Sequence, residues 1–482
     1  MTLPGGGAAR WAAAVIVVGA GVCLWLSLPG HLSYDSVVQL AEGRNGAYGL
    51  SGHPPVRSWL LGLADTVVPG PSLFVVFQTA LIAGGLASLV LLGRPGNWLT
   101  VILAAAVAAT PQLLINPAIV WKDVLFAGAA TAGFACLAHA AAAARRGAAR
   151  HALVGAALGL LTLAAMTRQN GAVVLPFGAL AAAWSGARAA PAGRRWRGAA
   201  LGGAFLAIGL AIMTVGATAL TAPAAGPPTA AAAGQFGNLQ TYDIVRALVL
   251  EPRTRLRVMH ARAPWFESLL RTRGVAAYSP VRIDSLEPVM EIAGAHADSA
   301  ALIGAQWMDM FARDPWLYLR GRAEAFRWVV FTPSQDDCVL IFTGVEGPVE
   351  EMGDVQLTPR KSSMDLVLED YAMNFAGTPV FSHASYAVLG AVLLIGLLRR
   401  RLASDIAVAA MLGSAFAFTA AFAVISIACD YRYLYDLDLA AIAATLYAAS
   451  TWGMGADKAK AAISGPRPDG SDRTTNAARR AG

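Results

Sequence analysis

Residues Leu32 to Pro55 read LSYDSVVQLAEGRNGAYGLSGHPP. The stretch lies between two apolar runs, Trp11 to Leu28 and Ser72 to Leu92, and has almost no apolar run of its own. It holds an acid at Asp35 and a His-Pro-Pro at His53 to Pro55. A bilayer span needs about 20 mostly apolar residues, so a polar island between two such runs belongs at a membrane boundary. Ionisable groups at that depth are costly, and those that persist there are candidates for function. Asp35 is therefore placed at the mouth of a membrane-embedded site as a candidate catalytic carboxylate.

The rest of the chain supports a membrane setting. Of its 482 residues, 56% are hydrophobic and only 14% charged, whereas soluble proteins carry about 25% charged residues. The expected fold is an all-α polytopic membrane protein with about ten transmembrane helices on the 20-residue criterion. Besides the two flanking runs, these are Trp98 to Ile115, Asp123 to Ala143, Ala152 to Met166, Gly171 to Ala187, Gly198 to Thr221, Phe381 to Leu398, Asp405 to Ile427 and Leu434 to Trp452. The run from Ala152 is short for a crossing. The net charge of +7 does not point to nucleic acid, because the basic residues form short clusters between apolar runs, as membrane topology produces. The four cysteines, Cys23, Cys136, Cys338 and Cys429, show neither metal-type spacing nor a disulfide framework. Many further runs follow the first, so it reads as an uncleaved span and not as a secretory signal.

Basic residues in short loops set orientation. With the N-terminus in the cytoplasm and every run crossing, Arg10, Arg94, Arg145, Arg146, Arg150, Arg188, Arg194, Arg195, Arg197, Arg399, Arg400 and Arg401 fall on the cytoplasmic side. The opposite short loops hold only Arg44, Arg57, Lys122, Arg168 and Arg432. Both termini are then cytoplasmic. Residues 1–222 form an N-terminal membrane module with an outer loop at 30–71. Residues 223–380 form a small, mixed external domain, 381–453 a C-terminal membrane module, and 454–482 a polar tail expected to be disordered. The external part opens with the Pro/Gly/Ala linker PAAGPPTAAAAG. It also contains a helical pattern over Ala301 to Val330, interrupted at Asp314-Pro315.

This topology brings every unusual polar motif to one face. Ser33 or Asp35 caps a short helix through Val37, Val38 and Leu40, whose dipole favours an ionised carboxylate. Such a group can take a proton from an attacking hydroxyl, although a simple N-cap explains it equally. Pro54 keeps His53 out of the helical region, ahead of a re-entrant or interfacial helix from Val56 to Val67, and leaves His53 as a phosphate or hydroxyl partner. Lys122 and Asp123 open the fourth run. They read either as a snorkelling cation with a cap, or as a phosphate partner with a second carboxylate facing Asp35. Thr167 to Gly171 is a tight turn in which Arg168 suits a phosphate and Asn170 a substrate hydroxyl. The segment Asp430-Tyr431-Arg432-Tyr433-Leu434-Tyr435-Asp436 reads as an interfacial aromatic belt or as a second phosphate site built on Arg432, with Tyr431 and Tyr433 beside the substrate. Gln235, Asn238, Gln240 and Asp243 are polar enough to bind sugar hydroxyls, but ordinary loop polarity accounts for them.

Taken together, these residues resemble the GT-C superfamily of membrane glycosyltransferases. The likeness is to the branch of protein O-mannosyltransferases, lipid A aminoarabinose transferases and the RgtA-to-D-like bacterial group. It is carried by Asp35 in YDS, His53-Pro54-Pro55 in the same loop, Lys122-Asp123 at the start of a later span, and Arg432-Tyr433 near the last outer loop. The family's first loop more usually carries a tandem acidic pair, whereas Ser36 follows Asp35 here. The resemblance implies a sugar donor on a polyprenyl phosphate, a glycan, lipid or protein acceptor, transfer at the outer face of a bacterial inner membrane, and inversion at the anomeric carbon. Asp35 and Asp123 would be catalytic, Lys122, Arg168 and Arg432 would bind the donor phosphate, and a divalent cation, Mg2+ or Mn2+, on Asp35 and Asp123 would be optional. Competing readings are an O-antigen polymerase or ligase and a flippase of lipid-linked sugars. Transporters often carry internal repeats and midplane charges, and neither is visible here.

Overall fold

The computed structural model describes residues 7–93, 97–143, 147–191, 193–221, 229–282, 284–296, 298–332 and 338–454. The expected disordered tail beyond 454 and the first half of the Pro/Gly/Ala linker, 223–228, lie outside the described residues. The architecture is all-helical. Among the described residues, extended pairing is confined to the isolated bridges His31–Ile119, Leu32–Val345 and Val345–Arg360.

The chain runs through α1 (Gly7–Ser27), α2 (Tyr34–Asn45), α3 (Pro55–Val67), α4 (Ser72–Val90), α5 (Leu99–Ala108), α6 (Pro111–Leu114), α7 (Lys122–Ala142), α8 (Gly147–Thr167), α9 (Val174–Ala189) and α10 (Trp196–Thr221). A helical insertion follows: α11 (Thr229–Leu250), α12 (Arg257–Arg262), α13 (Pro264–Leu269), α14 (Val275–Ala277), α15 (Glu287–Gly294), α16 (Ser299–Arg313) and α17 (Pro315–Phe331). The last part comprises α18 (Val349–Asp354), α19 (Ser363–Met373), α20 (His383–Arg400), α21 (Asp405–Ile425) and α22 (Tyr435–Ser450).

Eight of the described helices are long and apolar enough to cross a membrane, which makes this a multi-pass membrane protein. The ten expected runs differ from these eight at two places. The third run is broken into Leu99–Ala108 and Pro111–Ala118, bent by 71°. Pro111 lacks the N–H that would continue the first helix, and proline is the usual cause of so sharp a bend. Counting that pair as one span gives nine. The last run, α22, has only 16 residues, roughly 24 Å at helical rise, and it carries Asp436 and Asp438 fully inside the protein. It is buried on nearly all sides, so neighbouring helices and not lipid set its surroundings. The short run from Ala152 lengthens to the 21 residues of α8, because helix persists into polar residues that hydropathy leaves out.

α7 lies at the centre, with 83% of its span window buried, whereas only 22% of α10 is buried. The insertion has its own small core, including Tyr242, Leu248, Phe266, Leu286, Ile303 and Met310. Its helical pattern breaks where expected: Asp314 caps α17 by accepting from the Leu317 N–H at 3.0 Å. The remainder of the expected external unit behaves differently. Val329, Leu340, Leu368 and Ala372 join the core of the membrane bundle, and Leu32 exchanges backbone hydrogen bonds with Gly344 and Glu346 at 2.9 Å each. The cysteine reading is also corrected: Cys338 and Cys429 form a disulfide across 91 residues. The pair has no spacing signature because its two halves come from segments that meet only in the fold.

Candidate active site

The site begins at a tight helical hairpin. Ser33, in an extended conformation, precedes α2, and Asp35 sits in its first turn. Pro54 holds an extended ψ of 130° and Pro55 starts α3. The two helices touch at glycine: a Cβ on Gly43 would come within 2.6 Å of the Ser58 carbonyl oxygen. Glu42 fastens the turn, accepting from the Ser51 N–H at 2.7 Å and the Ser58 hydroxyl at 2.6 Å. Backbone contact at Gly43 and Gly62 is what swings His53 back over Asp35.

His53 Nε2 then lies 3.7 Å from Asp35 Oδ1, and Lys122 Nζ lies 3.0 Å from His53 Nδ1. An ammonium can only donate, so Nδ1 is the acceptor and the His53 proton is on Nε2, facing Asp35. On the other side, Arg432 Nη2 stands 3.0 Å from Asp35 Oδ2, and Arg432 Nε 2.8 Å from Asp430. The Arg432 guanidinium lies over the Trp121 ring, 5.2 Å from its centroid, and Trp121 is itself held by donating to the Ser33 hydroxyl at 2.9 Å. Arg168 pairs with Asp123 and is boxed by the rings of Phe418, Phe422 and Tyr433.

The electrostatics follow from this crowding. Burial alone would raise the Asp35 pKa, but the neighbouring His53 and the Arg432 charge outweigh it and hold the carboxyl well below its usual range. Burial, then Lys122, lower the His53 pKa, so the ring stays neutral near pH 7. Burial raises Asp430 to about 6 despite its Arg432 partner. Four cations, Arg57, Lys122, Arg168 and Arg432, face three carboxylates, Asp35, Asp123 and Asp430. Guanidinium nitrogens of Arg57 left without a partner suit an anionic ligand.

Several expected residues meet as read, and others take different places. Asp35, His53, Lys122 and Arg432 form one chain of contacts. Asp123 does not cap α7. Trp121 holds the cap position, and the Asp123 carboxylate turns to Arg168 with Oδ2 left unpartnered. Lys122 does not snorkel outward; it is only 8% exposed. Asn170 keeps both carboxamide atoms buried and unpartnered. Tyr431, expected beside the substrate, is fully buried and turned away: it donates to Asp438 at 2.6 Å and stacks on His383. Adjacent residues of the Tyr431–Leu434 turn point in different directions, so Tyr431 and Arg432 cannot share a face. Tyr433, stacked on Phe422, is a wall of the Arg168 box. Asp243 is helical and buried in ion pairs with Arg246 and Arg322, and so is not placed for sugar hydroxyls.

Arg57 went unread in the sequence. It is 1% exposed, donates through Nη2 to the Val120 carbonyl at 2.5 Å, and leaves Nε and Nη1 without partners. Burial lowers its pKa to about 10, with Asp35 and Arg432 among the charges acting on it. The signal was an arginine in the first turn of an otherwise apolar helix, PVRSWLL. As for a divalent ion, both carboxylates expected to hold it are committed to guanidiniums. Among the described residues no group of three or more His, Cys, Asp or Glu converges. This donor set does not fit a resident cation, and no step is routed through one.

No family model, curated protein or solved structure matches the chain.

Proposed function

We propose that the protein is an integral-membrane inverting glycosyltransferase, of the GT-C type, moving a sugar from a polyprenyl-phosphate donor to a hydroxyl of a glycan, lipid or protein acceptor. The observation that carries this reading is the pairing of an accessible carboxylate, Asp35, 26% exposed at its side chain, with a cationic nest only partly used by protein groups. A base beside an anion site is what the reaction requires. The acceptor oxygen attacks the anomeric carbon while Asp35 takes its proton. The bond from that carbon to the phosphate oxygen breaks, and its electron pair leaves with the polyprenyl phosphate. Arg432, Lys122 and Arg57 stabilise the charge that develops on the leaving oxygen, with Arg168 behind them.

The same geometry makes donor binding and base strength interdependent. As the phosphate engages Arg432, Asp35 loses part of its counter-charge and becomes the stronger base. His53, neutral and with Nε2 facing the carboxylate at 3.7 Å, lines one side of Asp35. The loop charge bias supports placing this end of the bundle outside the cytoplasm of a bacterial inner membrane. The Cys338–Cys429 disulfide at the same end supports it too, since such bonds persist in oxidising compartments.

The test is transfer of radiolabelled sugar from polyprenyl-phosphate donors by purified protein, wild type beside Asp35→Asn and Arg432→Gln. Transfer abolished in Asp35→Asn with donor binding retained, and donor binding weakened in Arg432→Gln, are the expected results. Donor binding without transfer by the wild type, together with lipid-linked sugar crossing the bilayer of vesicles, would replace this reading with the flippase.

A further inference from the structure

A second polar feature lies at the opposite end of the bundle. Arg150 stands near the start of α8, whose other end leads to Arg168 in the candidate active site. A pocket of about 350 Å³ opens there between α8, α9 and α10, lined by Arg150, His151, Gly186, Pro191, Arg197 and Leu201 among others. Arg150 donates from Nη2 to His151 at 2.7 Å, while its Nη1 is buried with no partner. Arg197 folds over its own neighbour Trp196 and takes no carboxylate. Among the described residues neither arginine is paired with a carboxylate, and the sequence has no Asp or Glu between Asp123 and Asp243. Among the described residues, Asp405 at this end of the bundle is bound by Arg400.

From this geometry we infer that the pocket binds the phosphate head group of an anionic phospholipid. Loop charge bias explains why arginines collect at this end, but not why two of them line a cavity with a guanidinium nitrogen buried and unsatisfied. A phosphodiester supplies the missing acceptors, and guanidinium pairs with phosphate in two parallel bonds. The volume lies within the range of small-ligand sites. The exposed apolar face of α10, with Ile208, Leu210, Ile212 and Val215, would carry the acyl chains, which favours a lipid over free phosphate. Basic pockets between membrane helices are the usual seat of such head groups.

The test is native mass spectrometry of the full chain, titrated with phosphatidylglycerol or with phosphatidylcholine, and with inorganic phosphate as competitor. Wild type should retain phosphatidylglycerol in preference. The double variant R150Q/R197Q should bind it on the order of twentyfold more weakly, at about 1 kcal/mol for each arginine. The double variant R194Q/R195Q removes the same charge from exposed residues outside the pocket lining and should bind as wild type. Equal loss in both variants would assign the effect to surface charge and overturn the pocket. So would equal retention of the two lipids, or full displacement by millimolar inorganic phosphate. Sugar transfer by R150Q/R197Q at the wild-type rate in zwitterionic detergent would confirm that the variant is folded.

Discussion

Two clusters in this protein are built from the same parts. In the helical insertion, Asp243 lies between Arg246 and Arg322, at 3.1 and 2.7 Å, with Trp307 donating to its second oxygen at 3.0 Å. Beside α2, Asp35 lies between Arg432 and His53. The difference is in how completely the partners are used. Arg246 also donates to the Tyr278 hydroxyl and the Ile427 carbonyl, and Arg322 to the Ala423 carbonyl. Asp243 is 5% exposed, and burial raises its pKa despite both arginines. In the Asp35 cluster the carboxylate keeps an open edge and is held ionised, while Arg57 has two nitrogens unpartnered. A saturated ion cluster fastens the insertion to the end of α21. An unsaturated one has bonds to offer a ligand. Satisfaction of hydrogen-bonding capacity, and not the mere presence of charge, distinguishes the two.

That comparison breaks most readily at its acids. Asp35→Asn should lower transfer by about 10²–10⁴-fold, the usual worth of a general base, and change stability by less than about 1 kcal/mol because the group is partly solvated. Asp243→Ala should do the reverse. It leaves two buried guanidiniums without their shared partner, which costs about 3–5 kcal/mol. Thermal melts and transfer assays on the same two preparations check both. If Asp243→Ala melts as wild type, the distinction between the clusters is lost.

Cys338→Ser sharpens the comparison, because Cys429 directly precedes Asp430 and lies three residues before Arg432. Loss of the bond should cost about 2–4 kcal/mol, read as a lower melting temperature, with a larger rise in donor KM than fall in kcat. Asp430 provides a pH signature. Burial raises its folded pKa to about 6, above the 3.8 of an ordinary aspartate. Its contribution to stability is therefore fully present below pH 3.8 and is lost as pH rises through 6. Melting temperatures measured from pH 4 to 8 should show that decline, and Asp430→Asn should remove it. The smallest expected effect is that of a chelator. Transfer should be unchanged by EDTA, since Asp35 and Asp123 are occupied by guanidiniums. A loss restored by Mg2+ or Mn2+ would return those carboxylates to metal binding.

How legible the chain was depended on the range of the interactions. The break at Asp314-Pro315 and the start of α3 at Pro55 were readable, because proline acts on its own backbone and its nearest neighbours. Arg57 was harder to read, because its place in the first turn of α3 does not tell that its guanidinium reaches the Val120 carbonyl, 63 residues away in the chain. Tyr431 was assigned to the wrong face, since neighbouring residues of a single turn diverge, and the direction of divergence is set by where Asp438 and His383 lie.

By itself, the sequence determined that the protein crosses a membrane many times and that its unusual acids and cations share one end of the bundle. Apolar run length and loop charge are local quantities that the bilayer enforces whatever the packing. Only the tertiary structure decided which of those charges are satisfied. Asp123 was taken up by Arg168, Asp35 was left open between Arg432 and His53, and Asp243 was sealed. Those outcomes rest on distances between residues far apart in the chain, fixed by helix contacts such as Gly43 against Gly62 and by the link from Cys338 to Cys429.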